Sequence, residues 1–282
     1  MKTLIHIGAP KTATTFLQET YYPLHPELAY IPQMKEWSRW MWSLDKTKIK
    51  ALAISDEGVM GHIKKRRTLL MNLERLVKDP LVLITTRAPD HSLLFSIYSQ
   101  IIRIGGRESF EDYFTKKTAH WADVFNYQSV YDECCSIYGS ENVMLLPQEL
   151  LRADPSQFYR MLEERLAISQ FDPPKNKQVN QRLTWDQIEF YRTFWPSLSR
   201  IASLHSNREM PLYIKKMHMS HTPIMNAISE KIGRLCNRTA KQSDLETSKF
   251  LESFNCYVSA MEMLPCYEDL LERYKKSSSE SH

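Results

Sequence analysis

The chain has 282 residues, of which 43% are hydrophobic and 25% charged, and its formal net charge is +4. This composition is typical of a globular protein with a substantial core, and it excludes a disordered or fibrous chain. The most basic run, HIKKRR at residues 62–67, is too short for a nucleic-acid-binding stripe, so it indicates a solvated helix face or the rim of an anionic-ligand site, and we expect no nucleic-acid partner.

Strand-like and helix-like segments alternate through most of the chain. Short apolar runs predict four strands, in the segments LIHIG, KALAIS, PLVLITT and NVMLLP. Helical patterns follow at about residues 14–22, 62–79, 91–104, 130–138, 154–168 and 183–195. Asp90 is the expected N-cap of the third of these helices, and Pro23 and Pro26 are expected to stop the first. Strands alternating with helices indicate an α/β fold with a central parallel sheet of four to five strands flanked by helices.

The C-terminal part has a different pattern, which is mostly helical from residue 181 onward and ends in the polar run KKSSSESH. We therefore predict a single domain over residues 1–274. It consists of an α/β core at 1–180 and a helical addition at 181–274, and a disordered tail follows at 275–282.

The cysteines and the apolar runs predict the compartment. There are five cysteines, an odd number without metal-ligand spacing, which indicates free thiols in a reducing environment. No stretch approaches the roughly 18 apolar residues of a membrane span, and the first residues lack the pattern of a secretion signal. The sequence therefore predicts a cytoplasmic protein with no transmembrane segment, and it leaves the oligomeric state open.

A lysine-containing turn joins the first strand to the helix after it. Gly8, Ala9 and Pro10 interrupt the strand pattern, and Thr12–Gln18 can open a helix. The free N–H groups and the dipole at a helix N-terminus attract an anion, and Lys11 adds a full positive charge. The segment GAPKTATT therefore predicts an anion-binding loop.

The spacing of this loop distinguishes between two kinds of phosphate chemistry. Nucleotide-triphosphate loops place the lysine directly after a second glycine, and no Gly-Lys pair occurs here, so a kinase-type P-loop phosphotransferase remains only as an alternative. GAPKTATT instead resembles the 5′-phosphosulfate loop of sulfotransferases that use 3′-phosphoadenosine 5′-phosphosulfate, whose usual form is Gly-x-Pro-Lys-x-Gly-Thr-Thr. The resemblance implies donor-binding roles for Gly8, Pro10, Lys11, Thr12, Ala13, Thr14 and Thr15.

One position of the loop departs from the family's form. Ala13 stands where the family commonly has glycine. A methyl group is tolerated there if the residue has negative φ, so we expect Ala13 to lie in an ordinary helical first turn.

The family's second signature places an arginine after a strand and a serine on the next helix, and both bind the 3′-phosphate. By this resemblance Arg87 and Ser96 have these roles, with Ser92 or Ser99 as alternatives because the interval from Arg87 to Ser96 is one residue longer than usual. An arginine fork suits a phosphate dianion. A later segment is similar to that of bacterial members of this superfamily, and it implies that Lys177 and Arg182 cover the same phosphate.

The acceptor side is less specific. Members of this superfamily use a glutamate or a histidine as the base, and Glu57 is the choice here, with Asp56 and His62 as substitutes; either acid at this strand end is alternatively a helix cap. Glu36, Trp37 and Trp40 could form an acceptor wall, although aromatic residues at this spacing are also typical of a core.

The resemblance implies a sulfotransferase that moves a sulfonate group from 3′-phosphoadenosine 5′-phosphosulfate to an acceptor hydroxyl, with 3′-phosphoadenosine 5′-phosphate as the product. The acceptor would be a small molecule or a glycan, with a carbohydrate or glycolipid preferred. Residues 1–180 would then be the nucleotide-binding core, and no metal is expected. The alternatives are a phosphotransferase and a catalytically inactive nucleotide-binding or interaction module.

Overall fold

The structure is a computed structural model, and it describes residues 1–31, 48–61, 63–77, 80–88, 90–174, 182–203 and 210–236. The described residues fall into two compact units, one of residues 1–88 and 119–174 and one of residues 90–118 and 182–236. Five predicted site residues lie outside the described residues, namely Glu36, Trp37, Trp40, His62 and Lys177. The predicted tail at 275–282 lies outside them as well.

The first unit is built on a five-stranded parallel sheet. Its strands are β1 (Lys2–Gly8), β2 (Leu28–Ile31), β3 (Ala51–Ser55), β4 (Leu81–Thr86) and β5 (Val143–Pro147). They lie in the order β2-β3-β1-β4-β5, and each neighbouring pair is parallel. Almost every strand residue is buried, as expected for a parallel sheet covered on both faces. The predicted α/β fold with a parallel sheet is confirmed.

Strand β2 was not predicted from the sequence. Its four residues, LAYI, are too few for a clear periodicity, and prolines stand at positions 26 and 32 on either side. The strand is formed by pairing with β3, where Leu28 lies opposite Ala51. Pro23 does not stop the first helical segment by itself, because it occupies the first turn of a short helix, where a proline is tolerated; the segment ends at Leu24, two residues before Pro26.

The helices occupy the segments between the strands and after them. In chain order they are α1 (Thr14–Phe16), α2 (Tyr22–Leu24), α3 (Gly58–Gly61), α4 (Arg66–Leu76), α5 (His91–Arg103), α6 (Phe110–Val124), α7 (Tyr127–Tyr138), α8 (Gln148–Ala153), α9 (Pro155–Leu166), α10 (Trp185–Ser203), α11 (Leu212–Ser220) and α12 (Pro223–Cys236). A π-helical turn, Leu17–Tyr21, connects α1 to α2, and a 3₁₀ turn, Ile63–Lys65, precedes α4. None of the described helices is long and apolar enough to cross a membrane.

Side chains of the first unit pack helices against the sheet. Tyr21 of the π-helical turn stacks on Tyr159 of α9 with a centroid distance of 4.8 Å, and its hydroxyl donates to Glu163 at 3.0 Å. Both tyrosines belong to a large apolar cluster with strand residues such as Leu4 and Leu83. This packing fixes the helix that follows the first strand, and with it the connecting turn.

The second unit is helical. Asp90 caps α5 as predicted, because its carboxylate accepts a hydrogen bond from the Leu93 N–H at 2.7 Å. The buried Arg103 at the end of α5 donates to the Ser220 carbonyl oxygen at 3.0 Å. The helical character predicted for the C-terminal part is confirmed for α10, α11 and α12.

The register of the sheet brings three strand ends together. His6 of β1 lies opposite Ser55, the last residue of β3, and Gly8 lies opposite Thr85 of β4. The segments after β1, β3 and β4 therefore begin at one edge of the sheet. The strand order also changes direction at β1, and ligands in open α/β sheets bind at such switch points, outside the carboxyl ends of the strands.

Candidate active site

The turn after β1 has an unusual backbone. Lys11 has φ +67° and Ala13 has φ +64°, both in the left-handed region, and α1 begins directly afterwards at Thr14. The expectation of negative φ at Ala13 is therefore wrong. Because the chain passes from strand to helix within five residues, the turn imposes a conformation that costs a non-glycine residue about 1–2 kcal/mol. Where left-handed residues alternate with residues of other backbone conformations, successive N–H groups point into one concavity. Such a concavity is a general anion-binding geometry.

Gly8 is required at the start of this turn by crowding. A Cβ atom added there would lie 2.4 Å from Thr85 Oγ1, 2.7 Å from Thr14 Oγ1 and 3.0 Å from Thr12 Oγ1. Glycine therefore allows three hydroxyl groups to gather at the end of β1. Ala9, the next residue of the turn, is buried, and Pro10 is partly buried.

The threonines of the turn differ in their environments. Thr12 and Thr14 are buried, whereas Thr15 is partly exposed. The Thr12 hydroxyl donates to the Ala9 carbonyl oxygen at 2.7 Å, and the Thr14 hydroxyl hydrogen-bonds the Glu57 carboxylate. These two hydroxyl groups therefore stabilise the turn and hold Glu57.

Glu57 lies at the turn although it comes from the end of β3. Its carboxylate is close enough to Lys11 for their charges to interact, and it accepts the Thr14 hydrogen bond. Burial raises the pKa of Glu57, as does the nearby Asp56 charge, whereas Lys11 and Thr14 act in the opposite direction. Burial also raises the pKa of Tyr30 to about 12, with a contribution from the Glu57 charge. The cluster therefore holds a partly buried carboxylate near a lysine.

Asp56 has a different role in the structure. Its Oδ1 accepts a hydrogen bond from the Gly58 N–H at 2.8 Å, and its own N–H donates to the His6 carbonyl oxygen at 3.0 Å. Asp56 thus holds the first residue of α3, as a helix-capping side chain does. Asp56 and Glu57 are adjacent in sequence but have different partners, since Asp56 bonds the Gly58 N–H and Glu57 interacts with Thr14 and Lys11.

Arg87 is also held at the turn. Its side chain is only 5% exposed, and Nη1 donates to the Lys11 carbonyl oxygen at 3.3 Å. The Tyr127 hydroxyl accepts from the Arg87 N–H and donates to the Arg87 carbonyl oxygen, both at 3.3 Å. Glu149, which is buried, accepts from the Ala88 N–H at 2.8 Å. The backbone after β4 is therefore fixed at Arg87 and at Ala88, and the buried Arg87 guanidinium contacts the backbone of Lys11.

The serines proposed for the 3′-phosphate lie in the second unit. Ser99 is buried and accepts a hydrogen bond from the Leu183 N–H at 2.7 Å. Ser92 accepts from Arg182 Nη1 at 3.2 Å, and the Arg182 guanidinium also lies 5.5 Å from the centre of the Phe95 ring. Ser96 is partly exposed and lies one helical turn after Ser92. Ser99 is thus engaged structurally, while Ser92 and Ser96 share a helix face beside Arg182.

A groove of about 420 Å³ lies in the first unit, and the sequence indicated it only through the basic run at residues 62–67. It starts at the end of α3, four residues after Glu57. Its lining residues are Gly61, Ile63, Lys64, Lys65, Ala119, His120 and Asp123. Within the described part of the chain, no group of three or more His, Cys, Asp or Glu side chains is arranged to hold a metal ion.

Comparison with known proteins identifies the fold. No family model matches the chain, and no curated protein matches it in sequence. A sulfotransferase from Alicyclobacillus acidocaldarius aligns with 76% of this chain and 99% of its own, with a TM-score of 0.53 and 17% sequence identity. The chain has the sulfotransferase fold.

Two other sulfotransferase structures align with lower TM-scores. One is the sulfotransferase domain from the curacin biosynthetic pathway, at 14% identity over 89% of this chain and 97% of that domain, with a TM-score of 0.45. The other is mouse sulfotransferase SULT7A1 complexed with PAP, at 12% identity over 98% of this chain and 89% of its own, with a TM-score of 0.47. The identification of the sulfotransferase fold depends on the first alignment alone.

Proposed function

We propose that this chain is a sulfotransferase that moves a sulfonate group from 3′-phosphoadenosine 5′-phosphosulfate to an acceptor hydroxyl, on a carbohydrate or glycolipid. The single observation that carries the proposal is the meeting of Lys11, Thr14 and Glu57 at one anion-binding turn. A phosphate-binding loop alone would need the lysine and the amide groups. The partly buried carboxylate of Glu57 is the additional group that a transfer to a hydroxyl requires.

The residues present fit the anionic donor. The turn offers a concavity of backbone N–H groups and the Lys11 ammonium group, and the buried Arg87 guanidinium adjoins it. These groups would bind the 5′-phosphosulfate at the turn, and Arg87 would extend the cationic surface to the 3′-phosphate. Ser96 and Arg182, with Lys177, are the proposed further contacts of that phosphate.

The chemistry needs charge neutralisation and a proton acceptor. The donor supplies a sulfonate group attached to a phosphate leaving group. Lys11 would offset the negative charge that develops on the leaving oxygen, and the N–H groups of the turn would hold the donor in place. Glu57 would accept the proton of the acceptor hydroxyl.

The electrostatics of the cluster favour Glu57 as this base. Burial raises its pKa, and the Lys11 charge acts against the rise. A bound anionic donor would share the Lys11 charge, so the pKa of Glu57 should rise further when the donor is present. A carboxylate whose pKa moves towards the working pH on donor binding is a better general base. Asp56 is the weaker candidate, because it is engaged with the Gly58 N–H.

Calorimetry with Lys11→Ala tests the proposal. Wild type should bind 3′-phosphoadenosine 5′-phosphate, and Lys11→Ala should bind it at least about tenfold more weakly, because a charge-assisted contact contributes about 1.5–3 kcal/mol. Lys2→Ala is the matched control, since Lys2 is exposed at the opposite end of β1 and should bind like wild type. Equal affinities for both variants would refute the role of Lys11.

Turnover separates the alternatives. A panel of neutral sugars and glycans is incubated with radiolabelled donor, and acceptor-dependent label transfer supports the sulfotransferase. Tight binding of ATP with Mg²⁺ but not of 3′-phosphoadenosine 5′-phosphate would indicate a phosphotransferase. Tight nucleotide binding without acceptor-dependent transfer would indicate an inactive module.

A further inference from the structure

A chain of hydrogen bonds passes through His6 in the interior of the first unit. His6 is fully buried in β1. Its Nδ1 lies 2.8 Å from Ser55 Oγ of β3, and its Nε2 lies 3.1 Å from Thr85 Oγ1 of β4. The imidazole thus joins the central strand to both of its neighbours.

The bonds on the turn side fix one proton of the imidazole. Thr12 uses its single hydroxyl proton to donate to the Ala9 carbonyl oxygen at 2.7 Å. Thr85 Oγ1 lies 2.9 Å from Thr12 Oγ1, so Thr85 is the donor of this pair. The Thr85 oxygen then accepts from His6, which must carry its proton on Nε2.

The bonds on the other side agree with this assignment. In a neutral imidazole with the proton on Nε2, Nδ1 is an acceptor, and the Ser55 hydroxyl donates to it. The Ser55 oxygen accepts from the Gln18 amide at 2.9 Å. The hydroxyl protons of Ser55, Thr85 and Thr12 and the single imidazole proton of His6 therefore each have one acceptor. The opposite tautomer, with the proton on Nδ1, would leave the Ser55 proton without an acceptor in this series of hydrogen bonds.

The environment keeps the ring neutral. Burial lowers the pKa of His6 to about 3. The nearest ring is Tyr22, edge-on at a centroid distance of 5.7 Å, and burial raises the pKa of its phenol, so it is uncharged as well. An imidazolium would donate from both nitrogens, so the hydrogen bonds from Gln18 to Thr12 would no longer all donate in the same direction.

We propose that His6 is a positioning residue of the anion-binding turn, where its Nε2–H tautomer fixes the direction of the hydrogen bonds that align the turn with the ends of β3 and β4. Ser55 directly precedes Asp56 and Glu57, and Thr85 stands two residues before Arg87. With its oxygen serving as an acceptor for Thr85, Thr12 remains bound to Ala9, and the same oxygen lies 3.4 Å from the Thr14 hydroxyl, which also interacts with Glu57. His6 would thus act through the turn without touching the donor or the acceptor.

The tautomer is tested by nitrogen NMR on the full chain with ¹⁵N-labelled histidine. The His6 signals, assigned by their loss in His6→Gln, should show a protonated Nε2 and an unprotonated Nδ1 at neutral pH. A proton on Nδ1, or on both nitrogens, would overturn the inference. This measurement needs no nucleotide, so it is independent of the proposed function.

Two amide variants test positioning. The glutamine amide in His6→Gln reaches the place of Nε2 and can donate to Thr85, whereas the shorter side chain in His6→Asn reaches only the place of Nδ1. The amide resonances of Ala9 and of residues 11–14 should stay near wild type in His6→Gln and move in His6→Asn. Equal movement in both variants would overturn the inference, whether or not nucleotide binds.

Affinity for 3′-phosphoadenosine 5′-phosphate is the second readout, and it rests on the proposed function. His6→Asn should bind about tenfold more weakly than wild type, and His6→Gln within about threefold. Equal affinities for the two variants would show that His6 does not position the turn. If wild type fails to bind, the proposed function falls, and the NMR results alone decide the role of His6.

Discussion

Replacing Gly8 by alanine adds one methyl group at the most crowded point of the candidate site. The new Cβ would lie 2.4 Å from Thr85 Oγ1 and 2.7 Å from Thr14 Oγ1, well inside contact distance. Gly61→Ala is a matched control in the same unit, because no atom lies within 4 Å of a Cβ added there. Neither glycine has positive φ, so alanine meets no backbone strain at either position.

The pair of variants isolates the steric effect. Both changes reduce the entropy of the unfolded chain by the same amount, which stabilises by about 0.4–1 kcal/mol. Only Gly8→Ala adds the cost of overpacking, about 1–3 kcal/mol. The difference in unfolding free energy between the variants is therefore about 1–3 kcal/mol in favour of Gly61→Ala. At about 2–4 °C per kcal/mol, this is a difference of about 2–12 °C in unfolding midpoint.

Thermal unfolding and calorimetry measure the two consequences. Gly8→Ala should unfold below Gly61→Ala, and it should bind 3′-phosphoadenosine 5′-phosphate about tenfold more weakly, because the displaced hydroxyl groups no longer hold the turn. Gly61→Ala should bind like wild type. Coincident midpoints and affinities for the two variants would refute the crowding argument.

Three further variants, one of them with a control variant, test other features. Glu57→Gln should lower turnover by about 10²–10⁴-fold at unchanged donor affinity, and unchanged turnover would exclude Glu57 as the base. Because the pKa of Glu57 is raised in the fold, the folded state binds more protons than the unfolded chain above the unfolded pKa, so wild-type stability falls as pH rises through that window. The unfolding midpoint of Glu57→Gln should therefore be higher than that of wild type at pH 7 and equal to it at about pH 3. Ala167→Gly, at an exposed left-handed helix end with φ +55°, should stabilise by about 1 kcal/mol in chemical denaturation, and a loss of stability would contradict the strain. Glu133→Ala should lower the free energy of unfolding by about 3–5 kcal/mol in the same assay, because it leaves the buried Arg66 without the carboxylate that lies 2.6 Å away. Lys116→Ala removes an exposed ion pair and should change the free energy of unfolding by nothing measurable. Equal effects of the two variants would argue against burial as the cause.

The sequence predicts the sheet where the strands are long enough to show a pattern. The runs that became β1, β3, β4 and β5 are mainly apolar, because both faces of a parallel sheet are buried. Four residues between prolines do not give such a pattern, so β2 depends on its partner strand. Backbone angles in the turn are a similar case: the φ of Ala13 is set by the reversal from strand to helix, and an alanine side chain gives no sign of it.

Parts of the candidate site could be anticipated from strand ends alone. Lys11, Glu57 and Arg87 each follow a predicted strand, and parallel strands bring such segments to one edge. The sequence could not separate Asp56 from Glu57, because their difference lies in which side chain turns towards Gly58 and which towards Thr14. His6 was missed, although a polar residue inside an apolar strand is a signal. Its partners lie 49 and 79 residues away along the chain, and only the folded sheet reveals them.

The central place of β1 has a consequence for how the chain is made. Of the five strands of the sheet it is synthesised first, yet its neighbour β4 begins at Leu81, 79 residues after Lys2 (81 − 2). At a synthesis rate of about 5–20 residues per second, about 4–16 s pass between the synthesis of β1 and the start of β4. Contacts so distant in sequence also form slowly once both strands are present. We therefore expect nascent chains that stop short of residue 81 to need chaperone protection, and those extending past β5 to become protease-resistant.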